Sequence, residues 1–295
     1  MKCVFSLKVL HFLLYLCYTR LAVERRVRMF TYHSSEKNIQ QISHCLHPAP
    51  VSTVFNRHFH TGYELLLVIK GDVRYNIDGR QYILKPYDLL FIPASTCHFV
   101  IPVSNAPYEN YVLNFNRDYI NSEPLQELFS QPRVLNIYTD RTLHRMFGLY
   151  DLYYHSYSAA DFEIAADLLL REILLYASYK LRDMDSSVPT AQTSPLVWMI
   201  TSYIAEHLQE TLDSDVIARE LNFSKSYIQN VFSSTMEIGL QQYINQKKVY
   251  AAHYDIQSGM ALSDAAAKYG YHTYSSFYRQ YRKFFGHSPK AGKNE

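Results

Sequence analysis

Along roughly the last hundred residues, apolar positions recur at helical spacing in a pattern that occurs twice, over residues 215–232 and again over residues 263–284. In each copy a short apolar helix is predicted to end at a turn, and a second helix follows. Asn222 and Gly270 occupy the two turns, and both residue types tolerate the positive φ that a tight turn needs. The pattern predicts two helix-turn-helix modules, which can place two helices in successive DNA grooves. The plainer alternative is a helical bundle with two similar hairpins.

The pattern in the amino-terminal half is different, because short apolar and alternating segments are separated there by turn residues. Asp78-Gly79 divides one alternating segment and is a strong hairpin turn. A series of short strands of this kind is typical of a small β-barrel or sandwich. The predicted strands are 64–70, 73–84, 88–93, 99–103 and 111–115.

Two longer segments, 140–155 and 161–180, are apolar at every third or fourth position. They predict helices that pack behind the barrel and are available for dimerisation. The whole chain is therefore predicted to be α+β, with an amino-terminal β-barrel and packed helices before an all-α domain of two helix-turn-helix modules. The expected divisions are an extension at 1–28, a sensor barrel at 29–120, a helical dimerisation region at 121–185, a polar linker at 186–194 and a DNA-binding domain at 195–295.

Charge is distributed unequally between the two modules. Residues 195–239 carry six acidic and two basic residues, whereas residues 240–295 carry eight basic and three acidic residues. Because attraction to phosphate supplies most non-specific DNA affinity, the second module is expected to contribute more of it. The net charge of the chain is only +2, so a DNA-binding function depends on this local arrangement.

Helical geometry indicates which side chains would read DNA. If Ile228 and Phe232 pack inward in the first module, and Phe277 and Tyr281 in the second, the early positions on the opposite face point outward. Gln and Asn can pair with adenine through two hydrogen bonds, and Arg can pair with guanine or contact phosphate. The predicted DNA-binding residues are Ser226, Gln229, Asn230, Ser275, Tyr278, Arg279, Arg282 and Lys283.

Residues 195–292 resemble the DNA-binding domain of the AraC family of bacterial transcription regulators. The run GYHTYSSFYRQYRKFFGHSP at 270–289 carries most of the likeness, and residues 243–256 are similar to the helix that links the family's two modules. The resemblance implies base contacts at six of the outward positions on the two reading helices. They are Ser226, Gln229, Asn230, Ser275, Tyr278 and Arg279. It also implies direct-repeat half-sites in promoter double-stranded DNA, RNA polymerase as a partner, and a cytoplasmic homodimer without membrane attachment. Glu237 stands where the family commonly has Gly, so the first reading helix is expected to end differently, and Lys248 replaces an Arg.

His58, His60 and Glu64, followed by Gly71, have the spacing of the first cupin motif, and residues 86–93 with His98 resemble the second. His58 and His60 alternate on one strand, so their side chains point the same way into a barrel. Three imidazoles and a carboxylate suit a divalent metal ion. In sensory cupin domains of the resembled family, such residues instead line an effector pocket. We favour ligand sensing with no cofactor required over a metal site at His58, His60, Glu64 and His98.

The effector is expected to contact Arg57, His58, His60, Glu64, Tyr75 and His98, with further aromatic faces from Tyr63, Phe91, Phe99 and Tyr111 and a polar contact from Asn114. Aromatic faces with polar groups at the ends suit a sugar ring. The resemblance, together with this mixture, favours a regulator that activates a carbohydrate catabolic operon and has no catalytic residues. The alternative function is that of a cupin metalloenzyme whose helical carboxyl-terminal domain is structural.

The first residues imitate a secretory signal, since Lys2 and Lys8 flank the apolar stretch at 9–17. His11 interrupts this stretch, no cleavage site with small residues is evident, and charged residues follow. We therefore expect Met29 to be the native start and residues 1–28 to be a non-native extension. The four cysteines show no paired spacing, which fits a reducing cytoplasm.

Overall fold

The computed structural model of the protein leaves most of the predicted extension and linker outside the described residues. Of these two segments it includes only residues 27, 28 and 194. The described residues are 27–34, 39–50, 55, 57–120, 122–182 and 194–289.

The amino-terminal half forms two sheets that face each other, as the predicted α+β fold requires. Within the described residues, one sheet has the strand order β1-β2-β8-β3-β6-β9 and the other β5-β4-β7. The predicted series of strands is confirmed, whereas β1, β2 and β9 were not expected from the sequence. The strands are β1 (Val27–His33), β2 (Ile39–His47), β3 (Tyr63–Lys70), β4 (Val73–Ile77), β5 (Arg80–Leu84), β6 (Asp88–Ile92), β7 (His98–Pro102), β8 (Tyr108–Phe115) and β9 (Arg133–Asn136).

The predicted hairpin turn joins β4 to β5. Asp78 and Gly79 both have positive φ, 45° and 86°, as a two-residue turn of the primed type requires. Asn76 supports the turn by accepting a hydrogen bond of 2.9 Å from the Gly79 N–H at its side-chain oxygen. The tip of this hairpin lies against the carboxyl-terminal half of the chain, where Thr201 donates a hydrogen bond to the Asp78 carbonyl.

The larger sheet is covered on both faces, and alternation along β3 separates the two environments. Leu65 and Leu67 pack into a core shared with three helices. Leu66 and Val68 point the other way, into the core between the two sheets. Glu64 lies on this inner face as well, because successive strand residues alternate. The helices are α1 (Glu123–Leu128), α2 (Arg141–Ser156) and α3 (Ala159–Arg182), and the last two agree with the predicted segments.

The carboxyl-terminal half contains the two predicted helix-turn-helix modules. Asn222 (φ 58°) and Gly270 (φ 76°) form the two turns, as expected from the repeat. Each module has its own apolar core, and the first core also includes Phe59 and Cys97 from the amino-terminal half. The helices are α4 (Pro195–Glu206), α5 (Ser214–Glu220), α6 (Lys225–Met236), α7 (Leu240–Gln257), α8 (Leu262–Lys268) and α9 (Tyr274–Phe285). None of the helices within the described ranges has the length and apolarity needed to cross a membrane.

Candidate DNA-binding surface and effector cavity

The two reading helices, α6 and α9, begin with the same type of side-chain cap. The Ser224 hydroxyl accepts a hydrogen bond from the Tyr227 N–H, and the Thr273 hydroxyl accepts one from the Ser276 N–H. Such caps satisfy backbone donors that the first helical turn leaves without partners. Each helix is 12 residues long, so the two copies start and stop at equivalent places.

The ends of these helices correct one expectation from the sequence. Gly286 follows α9 in the left-handed conformation, with φ 76°. Glu237 follows α6 in the same conformation, with φ 49°, although it carries a side chain. Both reading helices therefore end at a residue in the left-handed conformation, so Glu237 does not change the backbone conformation at the end of the first helix in the way that was expected. The Glu237 carboxylate pairs with the Arg57 guanidinium, which holds the cap against the amino-terminal half.

In the first module, Ser226 and Asn230 are exposed, as expected for residues that reach DNA. Gln229 is half-buried, and its side-chain amide donates a hydrogen bond of 3.0 Å to the Ser214 hydroxyl. This contact orients the Gln229 side chain from the neighbouring helix α5. The structure thus places the three predicted residues on α6, with Ile228 and Phe232 fully buried on the opposite face.

In the second module, Ser275, Arg279, Arg282 and Lys283 are exposed on α9, and Tyr278 is half-buried. Phe277 and Tyr281 are fully buried, which confirms the predicted inward face. The three cations therefore project from the outer side of the helix, where they can reach phosphates or base edges.

Helix α7 joins the modules, and Lys248 on it serves a structural contact. Its ammonium group donates a hydrogen bond to the Glu210 carbonyl, which precedes the first module. Burial lowers the pKa of Lys248. A Cβ atom on Gly270 would lie 3.2 Å from the same ammonium, so the second turn packs closely on this contact. Lys248 thereby links the segment before the first module to the turn of the second module.

The inner faces of the two sheets enclose a cavity of about 380 Å³, within the range of small-molecule sites. Of the predicted effector residues, His58, His60, Glu64 and Tyr75 line it, and Asn114 does so too. His98 lies behind this surface, with its ring 4.3 Å from that of His58. Sequence reasoning missed Gln41, Tyr108 and Asn110, which also line the cavity. Period-two alternation from Asn114 back along β8 could have identified Asn110 and Tyr108.

Arg57 does not line the cavity, which corrects its assignment to the effector site. Its guanidinium lies 5.2 Å from the centre of the Phe99 ring and pairs with Glu237 in the first module. The side chains of Arg57 and His58 diverge because they are neighbours in extended backbone. Arg57 is therefore a contact between the two halves of the chain.

The remaining aromatic candidates also lie outside the cavity lining. Tyr63 and Phe91 both pack against Phe129, on the helical side of the larger sheet. Tyr111 donates a hydrogen bond to Asp151 on α2 and stacks on His44. These rings belong to the core shared with the helices, because their side chains lie on the face of the larger sheet that is turned away from the cavity. Tyr75 is the predicted aromatic residue that reaches the cavity, and its hydroxyl lies 3.1 Å from that of Tyr108.

One carboxylate oxygen, Oε2 of Glu64, forms the centre of the histidine cluster. The Nε2 atoms of His60, His98 and His58 lie 3.1, 3.4 and 4.0 Å from it. Glu64 and His98 are buried, whereas His58 is largely exposed to the cavity. Burial would raise the pKa of Glu64, but the three imidazoles hold it well below its usual range. Burial lowers the pKa of His98 to about 4.

The amino-terminal half thus contains a barrel with a polar cavity, and the carboxyl-terminal half carries two exposed, capped reading helices. This combination defines a DNA-binding protein with a ligand-sensing domain. Residues 45–174 match the family described as an AraC-like ligand binding domain, and residues 217–294 match a helix-turn-helix domain. The chain belongs to the AraC family of transcription regulators.

Relatives of the chain include proteins that match only its carboxyl-terminal part and proteins that match most of its length. The chain is 27% identical to the regulatory protein SoxS of Salmonella typhimurium over 95 residues, covering 32% of this chain and 89% of SoxS. It is 24% identical to the transcriptional activator RhaR of Escherichia coli over 250 residues, covering 82% of this chain and 88% of RhaR. Among solved structures, ToxT from Vibrio cholerae is similar at a TM-score of 0.38 and 10% identity, covering 91% of this chain and 96% of ToxT.

Proposed function

We propose that the protein is a sequence-specific, ligand-responsive activator of transcription that acts on promoter DNA in the cytoplasm. The single observation that carries the DNA-binding part is the exposure of matched positions on two capped helices of equal length, α6 and α9. Ser226, Asn230 and Arg279 lie on these outer faces. Activation is supported by the similarity to RhaR, a transcriptional activator. Such a regulator would act by recruiting or contacting RNA polymerase.

The cavity supports a small polar effector, for which a sugar is our first choice. Gln41, Asn110 and Asn114 supply amides, and the paired hydroxyls of Tyr75 and Tyr108 supply a further donor and acceptor. A ring with several hydroxyl groups can satisfy such a lining, because each buried amide or hydroxyl needs a partner. In this proposal the regulated genes serve carbohydrate catabolism.

A second copy of the chain is the proposed partner for helix α3. Four apolar side chains on this helix are each at least 60% exposed. They lie within a narrow arc, because their spacings of 4, 7 and 4 residues nearly match whole helical turns. A homodimer formed through this stripe would place two pairs of modules on DNA. The four residues are Ile164, Leu168, Leu175 and Tyr179.

Selection from a pool of randomised DNA duplexes tests this function without knowledge of the promoter. The full-length protein is expected to enrich a site with two conserved segments about one helical turn apart, since tandem modules enter successive major grooves. A variant with Arg279→Ala should lose preference in one segment while it keeps the other. Enrichment of no common sequence would overturn the proposal.

A further inference from the structure

Helix α5 places one buried hydroxyl beside the reading helix of the first module. Ser214 is the first residue of α5, and only 5% of its surface is exposed. The Asp213 side chain caps the helix by accepting hydrogen bonds of 2.9 and 2.8 Å from the Asp215 and Val216 N–H groups. This cap holds the backbone that carries Ser214 in place. The Ser214 hydroxyl oxygen accepts a hydrogen bond of 3.0 Å from the side-chain amide of Gln229 on α6.

A second contact joins the same parts of the two helices. The Lys225 ammonium lies 2.7 Å from Oδ2 of Asp215. Lys225 and Gln229 are four residues apart on α6 and share one face, while Asp215 and Ser214 are neighbours on α5. The first turn of α5 therefore holds one side of α6 at two points. Lys225 is the one basic residue in the sequence of α6, and its pairing with Asp215 reduces the attraction of this helix to phosphate.

The hydrogen bond to Ser214 changes how Gln229 can recognise a base. A glutamine amide has two N–H donors and a carbonyl acceptor, and the bond to Ser214 uses one N–H. The other N–H and the oxygen match N7 and the N6 amino group of adenine in the major groove. An amide that rotates freely can exchange its nitrogen and oxygen and so offer the reverse pattern to another base. An amide held by Ser214 offers one pattern, and fewer torsions are ordered when DNA binds.

The second module carries different side chains at the equivalent positions. Both reading helices have 12 residues, and Tyr278 is the fifth residue of α9 as Gln229 is the fifth of α6. The first residue of α8, which corresponds to Ser214, is Leu262. Because leucine has no polar side-chain atom, it cannot orient Tyr278 by a hydrogen bond. The buried polar pair is therefore a feature of the first module.

The charges of the two modules agree with this difference. Residues 240–295 carry eight basic and three acidic residues, and Arg279, Arg282 and Lys283 are exposed on α9. The second module therefore attracts the phosphates of any DNA sequence. Residues 195–239 carry six acidic and two basic residues, so the contribution of the first module to affinity depends on contacts with bases.

We propose that Ser214 determines sequence specificity by positioning Gln229 to read adenine in the part of the DNA site that the first module binds. Gln229 contacts the base, and Ser214 acts only through Gln229. The preference for adenine arises from hydrogen bonds of a neutral amide, so salt that weakens overall affinity leaves the preference unchanged. This assignment rests on the proposed function, because it requires that α6 reads bases.

The experiment selects sites for the full-length protein from randomised DNA duplexes and compares wild type with variants at Ser214 and Gln229. Wild type is expected to favour adenine about tenfold at one position, and Gln229→Ala should lose that preference. Ser214→Ala should reduce it to about threefold and leave the other enriched positions unchanged. Ser214→Cys keeps the shape but has a weak hydrogen-bonding group, so it should behave likewise and serves if the alanine variant does not fold. Ser258→Ala, at an exposed serine after α7, should match wild type.

Further measurements on the selected site separate a positioning role from a merely structural one. Replacement of the preferred adenine by 7-deazaadenine removes N7, so it should weaken binding by wild type about fivefold and leave binding by Gln229→Ala unchanged. Ser214→Ala combined with Gln229→Ala should show the same base preference as Gln229→Ala alone, since Ser214 acts through Gln229. The ratio of wild-type affinities for the adenine site and for a site with another base there should be the same at low and high salt.

An unchanged adenine preference in both Ser214 variants, or an equal loss of affinity for every base at that position, would overturn the positioning role. An adenine preference that Gln229→Ala retains at every position would overturn the base contact. If wild type enriches no common sequence, the proposed function fails and this assignment fails with it. The other results contradict the assignment alone, because they are obtained with a site that wild type selects.

Discussion

The Tyr243 hydroxyl, on the helix that links the two modules, donates a hydrogen bond of 2.7 Å to Oδ1 of Asp78 at the tip of the β4–β5 hairpin. The same carboxylate accepts from the Cys97 N–H and, through its other oxygen, from Lys247. Burial, followed by the charge of Asp78, raises the pKa of Tyr243 well above its usual range, so the hydroxyl remains a donor. The Asp78 carboxylate thus accepts hydrogen bonds from both halves of the chain.

Tyr243→Phe should lower the free energy of unfolding by about 1.5–3 kcal/mol, because it removes a buried hydrogen bond to a charged acceptor. The measurement is urea denaturation followed by circular dichroism. Tyr138→Phe is the matched control, since Tyr138 is 65% exposed and its substitution should have little effect. Equal stability of the two variants would show that the contact between Asp78 and Tyr243 contributes nothing.

The turn of the first module gives a second prediction. Asn222 has φ 58°, a conformation that costs most side-chain-bearing residues about 1–2 kcal/mol and costs glycine nothing. Asn222→Ala should therefore destabilise the protein by about 1 kcal/mol, and Asn222→Gly should be close to neutral. Thermal unfolding of both variants checks the order. A less stable glycine variant would contradict the assigned backbone strain.

A third prediction concerns pH. Nδ1 and Nε2 of His44 each lie 2.9 Å from a carboxylate oxygen, of Asp151 and Glu109 respectively. Burial alone would lower the pKa of His44, but the hydrogen bond and charge of Asp151, and then those of Glu109, raise it above 6.5. The resulting stabilisation is fully present below pH 6.5, while the carboxylates remain ionised, and is lost as the pH rises through the raised pKa.

The free energy of unfolding of His44→Gln, compared with wild type from pH 5.5 to pH 9, tests this assignment. The deficit of the variant should be about 1.5–3 kcal/mol at the acid end, where wild-type His44 is charged, and should shrink with rising pH. A deficit that grows toward alkaline pH would mean that His44 is held neutral in the fold.

The apolar stripe on α3 predicts an effect on assembly. Leu168→Glu should convert the dimer to a monomer, because it places a charge among apolar side chains that the proposed partner copy would bury. Light scattering after size-exclusion chromatography reports the mass. Ile83→Glu is the control, since Ile83 is 52% exposed on β5 and outside the stripe. A monomeric wild type would remove the basis for this interface.

Features set by local backbone preference could be predicted from the sequence. Asn222 and Gly270 revealed the two turns, and Asp78-Gly79 revealed the hairpin, because each position requires a positive φ that few residues adopt cheaply. The inward faces of the reading helices followed from helical spacing around residues such as Phe277. Strand β2 escaped notice because buried polar residues, Ser43 among them, interrupt its apolar pattern.

Contacts across long separations could not be predicted in this way. Arg57 was assigned to the effector site as one of its polar groups, yet its partner Glu237 lies 180 residues away in the other half of the chain. The face of the larger sheet on which the Phe91 side chain lies could not be predicted either. All five residues of β6 are buried and the last four are apolar, so no alternation of polar and apolar residues shows which face of the strand meets the inner core and which meets the helices.

Sequence-specific DNA binding by the two exposed reading helices is the function on which the other proposed roles of the protein depend. The direct measurement is a band-shift titration of a selected site at several salt concentrations, with wild type, Arg279→Ala and the control Arg145→Ala, an exposed cation on α2. We predict that wild type binds the site more tightly than a scrambled duplex and that salt weakens binding. Arg279→Ala should lose about 1–3 kcal/mol of binding free energy, and Arg145→Ala should bind as wild type does. Equal affinity of wild type for the selected and scrambled duplexes, or no binding to either, would contradict the account.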